Sequence, residues 1–287
     1  MKKKNFFQVL FLGAALITGF YLTSCDNGTN NGTSKVDPST IATSNLVSYF
    51  PFNGNAKDTI ANLTPTAQPS VTYVTGRRGK AYQGADNARL LYTLPTTSKL
   101  KTLTSFTIAM WFRSPLVTGD PEPIFFQIGK SDDLNWGNLT LALNRLTATA
   151  DSLQLKAFFL KSGAVWSGQN VAYSNSMFKI NQWMHLVFEY NGTTSKYMIF
   201  KDGTKVVTNA GVEDRKASDA GDALGNLNFA NADVLNIGAW RPKSEGTATE
   251  SWMGWFKGNL DELRVYDKAL TATEVHDLYE AEVSQIE

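Results

Sequence analysis

Five of the seven tryptophans, Trp136, Trp166, Trp240, Trp252 and Trp255, lie in stretches dominated by glycine and polar residues. An indole on a loop presents a flat apolar face that stacks on the C–H face of a sugar ring, while neighbouring Asn, Asp and Arg groups bond hydroxyls. These five are therefore the candidate ligand-binding residues. The competing reading is that the rings pack over the ends of the fold, since large apolar residues near a surface are common without function. Trp111 and Trp183 sit inside strand-like patterns and are expected in the core.

A second chemistry is offered by oxygen ligands. Asn53, Asn55 and Asp58 crowd a loop after an apolar strand, and Asp261 lies in a late strand expected to run beside it. Hard oxygens gathered from two segments suit calcium, and a lone cysteine supplies no zinc set. The other reading makes Asp261 an acceptor for backbone amides of the first loop and Asp58 the closure of a turn.

Catalytic constellations are not evident. Glu213 and Asp214 are adjacent, as are Asp261 and Glu262, so on a strand each pair points to opposite sides. Of the two histidines, His276 falls on the polar side of a helical pattern and His185 sits within a strand pattern. No serine or cysteine lies in a nucleophile motif, and Thr75–Gly79 lacks the strand, spacing and helix of a phosphate loop. The chain reads as a non-enzyme. With 27 basic and 26 acidic residues the net charge is +1, which gives no electrostatic footprint for nucleic acid.

The elements that position these residues are mostly strands. Phe106, Ile108, Met110 and Phe112 share one face of FTIAMWFR, and Ile124–Ile128 is a short buried run. Leu139, Leu141 and Leu143 alternate with polar or small residues, as do Leu153, Leu155, Ala157 and Phe159, so these two segments read as antiparallel neighbours with one face to the core. Trp183–Tyr190, Lys196–Phe200 and Lys205–Thr208 are joined by Asn191-Gly192 and Asp202-Gly203, pairs that tolerate the positive φ of a hairpin turn. In Leu260–Tyr266, alternation puts Leu263 and Val265 on one face and Leu260 and Tyr266 on the other. Thr271 and Glu274 then stand at capping-box spacing, Leu270 and Val275 form a hydrophobic staple, and Val275, Leu278, Tyr279 and Val283 make one helical stripe. The loops 114–123, 129–138, 209–233 and 241–257 exceed what strand pairing needs, which is where function usually sits.

Three blocks in order carry a family resemblance. KGNLDELRVYDKALTATE resembles the final strand and helix of laminin G-like domains, LVSYFPFNGNAKD their first strand and loop, and WMHLVFEYNGTTSKYMIFKDGTKV their central meander. This resemblance covers residues 45–282 and implies an all-β, concanavalin A-like jelly-roll sandwich of two antiparallel sheets with one short C-terminal helix. The strand pattern, with first and last blocks both apolar on two sides, makes the terminal strands neighbours, and the resemblance suggests a structural calcium with Asp58 and Asp261 as carboxylate ligands and backbone carbonyls completing the shell, beside which Asn53 stands as a further candidate ligand. Glucanases of the same class carry E-x-D-x-x-E on one strand, a spacing absent from this sequence.

Ahead of that domain, residues 1–24 read as an export signal, with Lys2–Lys4 as the basic region and Phe6–Leu22 as the apolar region. Leu22-Thr23-Ser24-Cys25 resembles a bacterial lipobox, which makes Cys25, the single cysteine, a lipid attachment site and excludes intrachain disulfides. Residues 25–44 read as a flexible tether rich in Asn, Gly, Ser and Thr, and residues 45–287 as the laminin G-like domain. The domain type resembles surface lipoproteins of Bacteroidetes, which implies outer-membrane display through the lipid anchor. The expectation is a non-catalytic, lectin-like module binding a glycan or polysaccharide at a cell surface. The alternatives are a protein-binding adhesion domain and, third, a glycoside hydrolase.

Overall fold

A computed structural model describes residues 36–118, 122–161, 168–218 and 221–286. Cys25, the expected signal and Trp166 lie outside the described residues. Among the described residues fifteen strands run in chain order: β1 Leu46–Phe50, β2 Thr72–Thr75, β3 Lys80–Gln83, β4 Leu90–Thr93, β5 Phe106–Arg113, β6 Glu122–Lys130, β7 Leu139–Asn144 and β8 Ser152–Phe159. They continue as β9 Gln169–Lys179, β10 Met184–Asn191, β11 Lys196–Lys201, β12 Thr204–Lys205, β13 Ala232–Ile237, β14 Met253–Gly254 and β15 Asn259–Tyr266. The helices are α1 Ala210–Glu213, α2 Arg241–Glu245 and α3 Ala272–Val283. The last residues of the expected tether form short 3-10 turns, Pro38–Thr40 and Thr43–Asn45, and the Gln285 amide donates to Val36 O.

The strands form two sheets. The first has the order β12-β11-β10-β5-β15-β3-β2, with β1 also paired to β15, and the second the order β4-β13-β6-β7-β8-β9, with β14 added parallel to β6. All other pairings are antiparallel, and β1 lies against β15 as expected for neighbouring termini. Alternation explains the core. Phe106, Ile108, Met110 and Phe112 of β5 face Leu139, Leu141, Leu143, Leu153, Leu155 and Phe159 of the second sheet within one buried cluster. Asp202 and Gly203 both take positive φ, 48° and 74°, in the β11–β12 turn, as a hairpin of that sequence requires.

One strand departs from simple alternation. Leu260 joins Leu263 and Val265 in the core, while Tyr266 lies on the outer face, so the expected pairing of Leu260 with Tyr266 does not hold. The cause is a bulge between Asp261 and Arg264, where Glu262 adopts φ 52° and shifts the register against β5 by one residue. A polar side chain on a bulge is a signal that alternation alone cannot read.

The outer face of the first sheet is closed by α3. Thr271 and Glu274 make both hydrogen bonds of a capping box, and Val275, Leu278 and Leu270 pack on Ala109, Val187, Phe200 and Tyr266. Among the described residues no long helix lies over the equivalent face of the second sheet. Part of it is covered by the segment from Trp240 to Trp252, whose short helix α2 is closed by Gly246 at φ 75°.

Candidate functional site

Strand register fixes which side chains share the outer face of the second sheet. Asn144, Gln154 and Ser174 stand opposite one another across β7, β8 and β9, followed by a row of Ile124, Ala142, Lys156 and Ala172, then one of Gln127, Thr140, Phe158 and Asn170. The first row is chained: the Asn144 amide donates to Gln154 Oε1 at 2.7 Å, and the Gln154 amide donates to Ser174 Oγ at 2.8 Å. These are the outward positions of the same alternation that sends Leu143 and Leu155 inward.

An aromatic wall borders these rows. Trp136 and Trp252 stack at 5.6 Å with ring planes 17° apart, and Trp240 meets both edge-on at 5.5 and 5.0 Å. Phe158 lies 5.2 Å from Trp136, and the Lys156 ammonium sits 5.3 Å from the Trp136 centroid while pairing with Glu122. Trp252, Glu122, Asn144, Arg145 and Ser251 line a depression of about 420 Å³. The arrangement offers half-buried indole surface beside amide, hydroxyl and charged groups, the combination that recognises a hydroxyl-rich ring.

The wall is held from behind. Asp133 Oδ1 accepts from the backbone amides of Asn135 and Trp136 at 3.1 Å each, and Thr140 Oγ1 donates to Trp136 O at 2.6 Å. Gly137 follows at φ 65°, where a Cβ would stand 2.6 Å from Ile128 O, so only glycine lets this loop press onto β6. Trp252 is placed from the other side: its carbonyl accepts from Glu122 N at 2.6 Å, and its indole donates to Glu250 at 3.0 Å.

Of the expected ligand-binding tryptophans, Trp136 and Trp252 come together and remain half-buried. Trp240 does not serve as expected: it is wholly buried, with its indole donating to Glu122 O at 2.6 Å, so it supports the other two rings and cannot stack on a ligand. Trp255 stands apart from the three, flanked by Lys243 at 4.7 Å and Arg89 at 5.9 Å. Trp111 is buried as expected, whereas Trp183 is half-buried beneath Arg113. Sequence reasoning missed Asn144, Gln154, Lys156, Phe158 and Ser174. For Asn144, Gln154, Lys156 and Phe158 the signal was present, because each occupies the outward phase of a strand whose inward phase reads as core, whereas Ser174 lies on β9, a strand absent from the sequence reading.

The expected calcium ligands do not form an oxygen cage. Asp58 is buried and saturated, accepting from Ser48 Oγ, Tyr49 N, Ile60 N and Ala61 N. Asn53 Oδ1 accepts from Lys80 N at 2.8 Å, and Asp261 Oδ2 accepts from Arg77 N and Arg78 N at 2.7 and 2.9 Å. Hydrogen atoms thus point at Asn53 Oδ1, at both Asp58 oxygens and at Asp261 Oδ2, which leaves Asp261 Oδ1 as the one unpartnered oxygen of the set, too few to fit calcium. Asp261 bonds backbone amides as its alternative reading had it, though in the β2–β3 hairpin and not in the first loop. Gly76 makes that possible, since a Cβ there would stand 2.4 Å from Asp261 Oδ2. Among the described residues no group of three or more His, Cys, Asp or Glu is placed to hold a metal.

Beneath α3 lies a different polar set. His185, Trp111 and Asp261 occupy one row across β10, β5 and β15, and Glu282 reaches them from the helix with its Oε2 3.7 Å from His185 Nε2. Arg264 pairs with Glu262 and Glu282, and Glu262 also accepts from the Tyr49 hydroxyl at 2.6 Å. Burial pushes Asp261 up to about 7 and Glu282 up to about 7, the latter opposed by Arg264, and drives His185 down to about 3. His185, Asp261, Arg264 and Glu282 are buried, whereas half-buried Tyr49 and the edge of Glu262 border an open depression of about 630 Å³ with Arg77 and Arg78.

Solved structures share this architecture at low identity. The binding domain of botulinum neurotoxin DC, in complex with SialylT, superposes with TM-score 0.58 at 14% identity over 85% of this chain and 52% of its own length. The binding domain of Paraclostridial mosquitocidal protein 1 gives 0.55 at 16% identity, over 82% and 52%. The botulinum neurotoxin DC domain in complex with rat synaptotagmin II gives 0.56 at 13%, over 85% and 52%. The chain spans about half the length of each. A search of curated proteins finds no match. A family model matches residues 91–276, well over half of the sequence, and with the two-sheet architecture it establishes that this chain belongs to the concanavalin A-like lectin/glucanases superfamily.

Proposed function

We propose that this chain is a non-catalytic glycan-binding module that holds sugar on the outer face of β7 to β9, against the wall of Trp136 and Trp252. The observation that carries the reading is the chained row Asn144–Gln154–Ser174 beside two stacked indoles on a sheet face left partly open. The binding domain of botulinum neurotoxin DC described in complex with SialylT, which shares this fold over about half its own length, is consistent with the reading. Glu122, the carboxylate lining the depression, pairs with Lys156, which ill suits it to act as one of the two carboxyl groups a glycosidase needs about 5 to 10 Å apart. Trp252→Ala removes one ring of the wall. A panel of neutral polysaccharides and oligosaccharides should yield at least one saturable ligand whose affinity falls roughly tenfold or more in this variant, in line with loss of an aromatic hot spot. A folded protein that binds nothing on the panel would sink the reading.

The second reading is a protein-binding adhesion domain, prompted by the relative described with rat synaptotagmin II and by Trp255 between Lys243 and Arg89. It gains if Trp255→Ala removes a surface partner while Trp252→Ala does not. Either activity fits display on a cell surface through a lipid on Cys25, with the outer membrane as the location. Cys25→Ser should then release the protein from the membrane fraction, and retention of the variant there would contradict the anchor.

A further inference from the structure

Among the described residues, the buried arginines carry counter-charges with one exception. Arg264 has Glu262 and Glu282, and Arg241 has Asp233 and Glu245. Arg215 is 8% exposed, yet no carboxylate pairs with it. Its Nη2 donates to Gly211 O, its Nε is buried without an acceptor, and Asp214 beside it is taken by Lys196. The backbone on either side is fixed, with Arg215 N donating to Ser195 O at 2.8 Å and Leu224 N donating to Arg215 O at 3.1 Å. A largely buried guanidinium that lacks a counter-ion is costly, and an oxyanion accepting from Nη1, the nitrogen neither enclosed nor bonded to the backbone, offsets that cost.

Arg215 forms part of the wall of an open basin of about 460 Å³, with exposed Lys216, the Ser218 hydroxyl and Gln169 around it. The Gln169 amide donates to Lys216 O at 2.7 Å, which ties the basin to the first residue of β9. That volume exceeds what a bare carboxylate fills and falls in the range of a small-ligand site. The wall combines the cations Arg215 and Lys216, the Asp214 carboxylate, the Ser218 hydroxyl and the Gln169 amide with the apolar surface of Ala210 and the backbone at Gly211, a mixture that suits a ring with both C–H and hydroxyl faces.

We infer that this basin is an acidic-sugar subsite, in which Arg215 and Lys216 hold the carboxylate of a uronic-acid-type ring and Ser218 meets its hydroxyls. It shares no residue with the wall of Trp136 and Trp252, so it stands or falls apart from the neutral-glycan reading. The test is calorimetric titration of the purified protein with glucuronate, with glucose as the neutral counterpart and with inorganic sulfate as a bare anion. Glucuronate should bind saturably and roughly tenfold or more tighter than glucose, as expected for a charge-assisted pair. Lys216→Ala, at an exposed position that leaves the fold intact, should weaken glucuronate several-fold, and Arg215→Lys should weaken it further because an ammonium cannot both keep the bond to Gly211 O and offer a second nitrogen where Nη1 stands. Trp252→Ala should leave glucuronate binding unchanged. Equal affinity for glucuronate and glucose, sulfate binding as tight as glucuronate, or indifference to Lys216→Ala would each overturn the assignment.

Discussion

The outer faces of the two sheets are built from the same alternation and put to opposite uses. On the first sheet the outward residues include Trp111, His185, Asp261 and Arg264, and α3 seals them from water. On the second, the outward residues Asn144, Gln154, Lys156 and Ser174 stay accessible, and a doubled indole wall rises beside them. Polar groups under the helix serve the fold, because burial commits them to one another. Polar groups left in the open keep hydrogen-bonding capacity for a ligand. The contrast also shows that the segment most diagnostic of the family, Asn259–Tyr266, is a structural element, and that the candidate site lies on strands with no diagnostic motif.

The contrast breaks most severely at Arg264. Replacing it with methionine leaves Glu282 buried without its cation and Glu262 with Arg78 alone, and the expected loss is about 3–5 kcal/mol in urea unfolding. Lys156→Met, the matching change on the open face, should cost about 1 kcal/mol or less, because its pair with Glu122 stays partly in water. Equal losses at the two sites would erase the distinction.

A smaller effect is expected from pH. Asp261 and Glu282 titrate near 7 in the fold, above their unfolded values of about 4, so their contribution is fully present at acid pH and is lost as pH rises through 7. His185 works the other way: its pKa of about 3 lies below the unfolded value of about 6.5, so its contribution holds above pH 6.5 and is lost as pH falls toward 3. Unfolding free energy measured from pH 4 to 8 should therefore fall less steeply on the alkaline side in Asp261→Asn than in the unaltered protein. An unchanged slope would remove Asp261 from the account.

The smallest effect belongs to the helix cap. Thr271→Ala removes the capping-box oxygen and should cost about 1 kcal/mol, read as a shift in the urea midpoint, while leaving any glycan affinity untouched.

Much of the fold was legible because its signals are local. The capping box at Thr271 and Glu274, the Asp202-Gly203 turn and the inward leucines of β7 and β8 all follow from neighbours in sequence. The bulge at Glu262 was not, since it is fixed by partners from β1, the β2–β3 hairpin and β15 itself: Tyr49, Arg78 and Arg264. The site was half legible for the same reason. Composition marked Trp136 and Trp252, but their stacking, and the burial of Trp240 behind them, depend on a long-range approach that no local pattern encodes. The apparent calcium set failed on hydrogen-bond donors, which are invisible until the β2–β3 hairpin and the first loop are folded around Asp261 and Asp58.

The most direct test of the account is amide chemical-shift mapping of the protein titrated with a glycan drawn from the panel. Shifts should concentrate at Asn144, Gln154, Lys156, Phe158, Ser174 and the Trp136 and Trp252 indoles, with β5 and β15 beneath α3 unmoved. Shifts centred on α3 and the Asp261 row, with the outer face of β7 to β9 silent, would contradict the account.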